Sequence, residues 1–112
     1  MARNEQLEIR VREALSGFPN VEEKRMFGGT AFMVAEKLCV SVGTDHLLCR
    51  IDPELRETAL QKPGCREMIH SGRVMKAFVF VAEESLKSKN DFDYWINLAL
   101  DSSKKAKPEN NL

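Results

Sequence analysis

The stretch Lys24–Ile51, KRMFGGTAFMVAEKLCVSVGTDHLLCRI, breaks short apolar segments with turn residues, and helical patterns lie before and after it. It reads as an antiparallel meander at the centre of a sheet. With tight turns at Ala35-Glu36 and Thr44-Asp45, Met33 faces Leu38, Ala31 faces Val40, Val40 faces Cys49, and Val42 faces Leu47. That register gathers Ala31, Met33, Leu38, Val40, Val42, Leu47, Cys49 and Ile51 on one side, with Ser41 and Arg50 on the other. A slip of one residue would turn the apolar set to the wrong face, so the pattern itself selects the alignment.

Working outward, Asn4–Ser16 reads as a first helix, with Leu7, Val11, Ala14 and Leu15 at helical spacing and Asn4 as its cap. Phe18 extends the stripe, Ile9 falls off it and implies cover on a second side, and Gly17 with Pro19 ends the helix. Pro19-Asn20 makes a turn, Val21–Phe27 leads into the first strand, and Gly28-Gly29 interrupts that strand with a bend, a bulge or the close approach of another backbone. After Ile51, Asp52 caps a short helix with Pro53 at its first position and Leu55, Ala59 and Leu60 along its buried edge. Lys62-Pro63-Gly64 stops it.

Cys65–Ile69 then forms a short strand, residues 70–73 a loop, and Val74–Val81 a strand that is apolar on both sides apart from Lys76. If Met75, Ala77, Val79 and Val81 look inward, Val74, Phe78 and Phe80 make an outer row, to which Phe32 and Cys39 would add. A turn or two of helix is anchored by Leu86. Asn90 caps the last helix, with Asp93 three residues on and Phe92, Trp95, Ile96 and Ala99 along one face. Residues 1–101 are expected to form one domain and 102–112 a flexible polar tail.

A chain of 112 residues buries roughly 65% of its unfolded surface in one core, so it needs neither metal nor disulfide to fold. Its 17 basic and 17 acidic residues cancel, which argues against strong direct binding to nucleic acid, where phosphate attraction supplies most of the affinity. No apolar run approaches the ~20 residues of a membrane span, and the charged N-terminus predicts no secretory leader. Three cysteines, an odd count without a CxxC, fit reduced thiols in a cytoplasm. In the register above Cys39 and Cys49 point to opposite faces and should not pair.

The first helix, EEKRMFGGTAFMV, the KLCV strand, the LLCRIDPE junction, GRVMKAFVFV and the last helix DFDYWINLAL together resemble the TfoX (Sxy) N-terminal domain family, named for a regulator of bacterial natural competence. The resemblance runs from about Leu7 to Leu100, and its most specific part is Arg25-Met26-Phe27-Gly28-Gly29. It implies an α+β fold: a curved antiparallel sheet of about five strands with helices packed mainly on one face, in the order helix, strands, helix, strands, helix. The family's competence regulators carry a second, helical domain that the sequence read here does not show. Thr30-Ala31 also stands where many relatives have an aromatic and another Gly.

The residues form no catalytic constellation. There is no GxSxG, and no His or Cys pair has zinc-ligand spacing. Cys65, between Lys62 and Arg66, comes nearest to a reactive thiol, while burial as a small hydrophobe is the simpler account. The expectation is a non-enzymatic cytoplasmic module that needs no cofactor and docks a protein partner, or itself, on an uncovered sheet face or edge. An accessory role in transcription through a DNA-bound partner is the alternative. Candidate binding residues are Phe78 and Phe80 on the outer row. Arg25, Phe27, Gly28 and Gly29 form a second candidate group, which would take a small anion or metabolite at the glycine bend.

Overall fold

The computed structural model describes residues 4–26 and 29–105. Six antiparallel strands form one sheet: β1 (Val21–Met26), β2 (Gly29–Val34), β3 (Lys37–Val42), β4 (His46–Arg50), β5 (Cys65–His70) and β6 (Arg73–Ala82). Their spatial order is β1-β2-β3-β4-β6-β5. Helices α1 (Glu5–Leu15), α2 (Arg56–Leu60) and α3 (Lys89–Lys105) complete the α+β fold, with 3-10 turns at Pro53–Leu55 and Glu83–Leu86. The sixth strand comes from the glycine region. Val21 to Val34 is not one bent strand but two, paired from Val21↔Val34 to Met26↔Gly29.

The meander forms with the expected turns. Ala35 and Glu36 both take positive φ, 53° and 70°, the primed geometry whose twist matches the flanking strands. Pairs Met33↔Leu38, Val40↔Cys49 and Val42↔Leu47 are as expected, but Phe32, not Ala31, faces Val40. The reason is a β-bulge: between Met33↔Leu38 and Phe32↔Val40, strand β3 spends two steps where β2 spends one. Cys39 is the extra residue, and in such a bulge adjacent side chains share a face. Cys39 and Val40 both enter the core, and Phe32 joins them, fully buried. Phe32 and Cys39 therefore leave the outer row, Ala31, Met33 and Leu38 move to that side, and Cys39 and Cys49 occupy the same core.

The helices close over one face. Leu7, Val11 and Leu15 of α1 and Phe92, Trp95, Ile96, Ala99 and Leu100 of α3 share a single cluster with Phe32, Val40, Val42, Leu47, Cys49, Val79 and Val81. Each such side chain contributes about 2 kcal/mol by leaving water. Asn4 caps α1, its side chain accepting from the Leu7 amide at 3.1 Å. Ile9, Phe18 and Leu55, expected as covered positions, are 48%, 39% and 40% exposed. Ser88 rather than Asn90 starts α3, its hydroxyl accepting from the Asp91 amide, because Ser88 and Asp91 have capping-box spacing. The helix also runs four residues past the expected domain end, to Lys105, with Ser102 and Ser103 buried. The rest of the expected tail lies outside the described residues.

Positive φ at two residues bearing a Cβ costs about 1 kcal/mol or more each. Replacing Ala35→Asn with Glu36→Gly should raise unfolding stability by about 1 kcal/mol in urea titration. A loss would mean that the native side chains contribute contacts outweighing the backbone gain.

Candidate binding face

The side of the sheet away from the helices can be read as rows of cross-strand neighbours, since residues directly opposite share a face. One row crosses all six strands: Lys24, Ala31, Ser41, Leu48, Phe80 and Arg66. Beside it lie Glu22, Met33 and Leu38 on β1–β3 and Arg50 and Phe78 on β4 and β6. The buried apolar residues of the three helices belong to one core cluster that holds none of this row. The centre of the row is itself inaccessible, with Ala31, Ser41 and Leu48 at 0%, 5% and 4% exposure and Arg50 beside them at 6%.

Phe78 and Phe80 are half-buried here and are tied together by polar neighbours. The Arg50 guanidinium lies 4.7 Å from the Phe78 ring centroid, and its Nε donates to the Leu38 carbonyl at 2.6 Å. Arg66 lies over Phe80 at 5.7 Å, and His46 meets the same ring edge-on at 4.8 Å. A cation over a ring contributes about 0.5–1 kcal/mol at exposed sites and more when desolvated. His46 also packs on Gly43, where an added Cβ would come within 2.5 Å of the imidazole. Val74 stands apart at the β5–β6 hairpin end, opposite Ile69, both exposed.

The alternation along β4 already placed Arg50 outward. The roles of His46 and Arg66 needed the pairing of β4 with β6, which are not neighbours in sequence. That pairing is what sets them beside Phe80.

The glycine end is built differently. Arg25 is exposed on β1 opposite Thr30, while Phe27 and Gly28 lie outside the described residues. Gly29 is buried, and a Cβ there would sit 1.9 Å from the Val42 carbonyl oxygen. The close approach of β3 therefore accounts for Gly29 without any ligand. A shallow hollow of about 280 Å³ beside it is lined by Arg12, Glu23, Lys24, Arg25 and Thr30. Glu23 accepts two hydrogen bonds from Arg12, at 2.6 and 2.8 Å, and these hold its carboxyl below the ordinary glutamate pKa. Behind it the Thr30 hydroxyl donates to Glu8 at 2.9 Å. Glu8, 2% exposed, was not singled out from the sequence, although it stands at helical spacing from Val11 and Leu15. The lining of the hollow sets Arg12, Lys24 and Arg25 against the one carboxylate Glu23, which is bonded to Arg12.

A family profile described as TfoX N-terminal domain matches residues 13–103. The chain belongs to the TfoX N-terminal domain family. A crystal structure of a protein from Pseudomonas syringae, solved as a structural-genomics target, is similar with a TM-score of 0.61 and 12% identity, covering 88% of this chain and 96% of that one. At that identity the likeness shows the fold alone. No curated protein matches the chain.

In this TfoX N-terminal domain the three cysteines are unpaired. Burial pushes the Cys65 thiol up to about 11 and raises Cys39 and, further, Cys49. Lys62 and Arg66 do not offset that desolvation, so Cys65 is a packing residue and not an activated nucleophile. No group of three or more His, Cys, Asp or Glu side chains that could hold a metal occurs among the described residues.

Two measurements check these assignments. Cys65, with its pKa raised from 9.0 to about 11, should react with iodoacetamide at pH 8 about 100-fold more slowly than in the urea-unfolded chain. A native rate matching the unfolded one would place Cys65 in an activating environment. Gly29→Ala should lower stability by on the order of 3 kcal/mol in the same urea titration, because the new methyl overlaps the β3 backbone.

Proposed function

We propose that this domain is a non-catalytic interaction module that docks a protein partner on the sheet face bearing Phe78 and Phe80. The observation that carries the reading is a pair of half-buried aromatic rings, each in contact with an arginine and neither a member of the helix-packed core. Aromatic and arginine side chains with a partly desolvated centre are the usual chemistry of binding hot spots. The His46–Asp45 pair, at 3.1 Å, is the nearest approach to a catalytic dyad on this face, and the His46 ring is packed on Gly43 and Phe80. The cytoplasm is the compartment we propose, since three unpaired thiols persist most readily in a reducing environment.

The family match favours one second reading, an accessory transcription role exerted through a DNA-bound protein. It would use the same docking face, because the chain's balanced charge gives it little attraction for duplex of its own.

The test is an affinity capture from native lysate with the wild-type domain, with Phe78→Ser/Phe80→Ser, and with Ile9→Ser as a control on exposed α1. Light scattering would follow self-association, and thermal unfolding would confirm that each variant is folded. Loss of a partner in the double variant and its retention in the control is the expected result. Identical partner profiles from all three folded proteins would refute the reading.

A further inference from the structure

The two edges of the sheet differ in how their charges would meet a copy of themselves. β1 closes one edge and β5 the other, and among the described residues no strand lies beyond either. Glu22, Glu23, Lys24 and Arg25 of β1 are all exposed. Their partners on β2 assign the faces: Glu22 and Lys24 stand opposite Met33 and Ala31, on the side away from the helices. Glu23 and Arg25 stand opposite Phe32 and Thr30, on the helix side. Each face of β1 therefore carries one carboxylate and, two residues on, one cation.

A strand edge offers unpaired amide and carbonyl groups to any chain that can lie beside it, and charged side chains there normally discourage pairing. They do so where like meets like; opposite charges directly across a ladder favour it. In two copies related by a twofold axis normal to the sheet, the strands run antiparallel and every residue keeps its face, so directly opposed residues have numbers of the same parity. With Glu23 at the axis, Glu22 faces Lys24 of the second copy, and Lys24 faces its Glu22. On the helix side the two Glu23 residues meet, but each already accepts two hydrogen bonds from its own Arg12, at 2.6 and 2.8 Å. Arg25 of the other copy is then a diagonal neighbour of each. β5 offers no such match. Its Arg66 and Glu67 are adjacent, so they point to opposite faces and no twofold register opposes them.

We propose that this domain pairs with a second copy of itself through β1, joining two six-stranded sheets edge to edge about a twofold axis. The occupant is a second copy because one short strand supplies both halves of each ion pair. The contact is independent of the docking surface at Phe78 and Phe80, since β2, β3 and β4 separate β1 from β6.

Six residues at about 3.4 Å each make a ladder of roughly 20 Å. A contact of that length with charges at its centre belongs among the transient interfaces, which bury less than about 1,200 Å². Sedimentation velocity on the full chain should therefore show a monomer–dimer equilibrium between about 10 μM and about 1 mM. Amides of residues 21–25 should gain protection from hydrogen exchange as concentration rises.

Lys24→Glu and Glu22→Lys, both at exposed positions, should each weaken the dimer about tenfold or more by setting like charges opposite one another. The exchanged pair, Glu22→Lys/Lys24→Glu, should restore it. An equimolar mixture of the two single variants should form the dimer that neither forms alone. Thermal unfolding would confirm that each variant is folded, and the exchange pattern of the wild-type chain is decisive by itself should one fail to fold. A wild-type chain still monomeric at about 1 mM, single variants that dimerise as well as wild type, or an exchanged pair that stays monomeric would overturn the proposal. So would oligomers growing beyond the dimer, which would mean that β1 meets β5, or loss of the dimer in Phe78→Ser/Phe80→Ser.

Discussion

One surplus residue organises this sheet. Cys39 has no partner opposite it on β2, and because the bulge turns Cys39 and Val40 to the same side, every residue of β2 lands on the opposite face from where unbroken alternation would put it. Phe32 thereby fills the core between α1 and the sheet, with the Arg12 guanidinium over its ring. Ala31 takes its place on the outer row, between Lys24 and Ser41. Small Ala31 outside and large Phe32 inside are a single choice of register, and the membership of the helix-packed core follows from it.

The limits of sequence reading follow the same division. Most local signals were sound: Asn4 and Asp52 cap as expected, and the turns fall at Ala35-Glu36 and Thr44-Asp45, while Ser88 takes the cap expected of Asn90. The pairs nearest those turns, Met33↔Leu38 and Val42↔Leu47, were legible because turn and polarity agree there. The bulge was not, since Cys39 is as acceptable in an unbroken strand as in a broken one. The hairpin at the glycines was missed for a related reason: VEEKRM is too polar to read as a strand by alternation, and it pairs at the sheet edge where charges are tolerated. Helix faces were legible as stripes, but not the buried Glu8, which is compatible with the interior through its bond to a threonine on another element. Of the candidate face, Phe78 and Phe80 were visible, while Arg66 and His46 beside them depended on strand order.

The face also shows how little net charge says about a surface. Seventeen positive and seventeen negative residues sum to nothing, yet their placement is uneven. Carboxylates are spent mainly on the helix side and at the ends of elements: Glu23 binds Arg12, Glu67 binds Arg56, and Asp93 binds Lys89. The other side of the sheet carries both signs, Lys24 and Arg66 with Glu22 and with Asp45 beside His46.

The insertion of β6 between β4 and β5 has a consequence for the order in which the chain is made. Until residues beyond 73 have left the ribosome, the edge of β4 that carries Leu47 and Cys49 has no neighbour, although everything on its other side can already pair. A nascent chain arrested in that window would present an unpaired apolar border about five residues long, the kind that templates aggregation between unfinished copies. The tight hairpin joining β5 to β6 delivers both missing strands as one unit and closes that interval quickly.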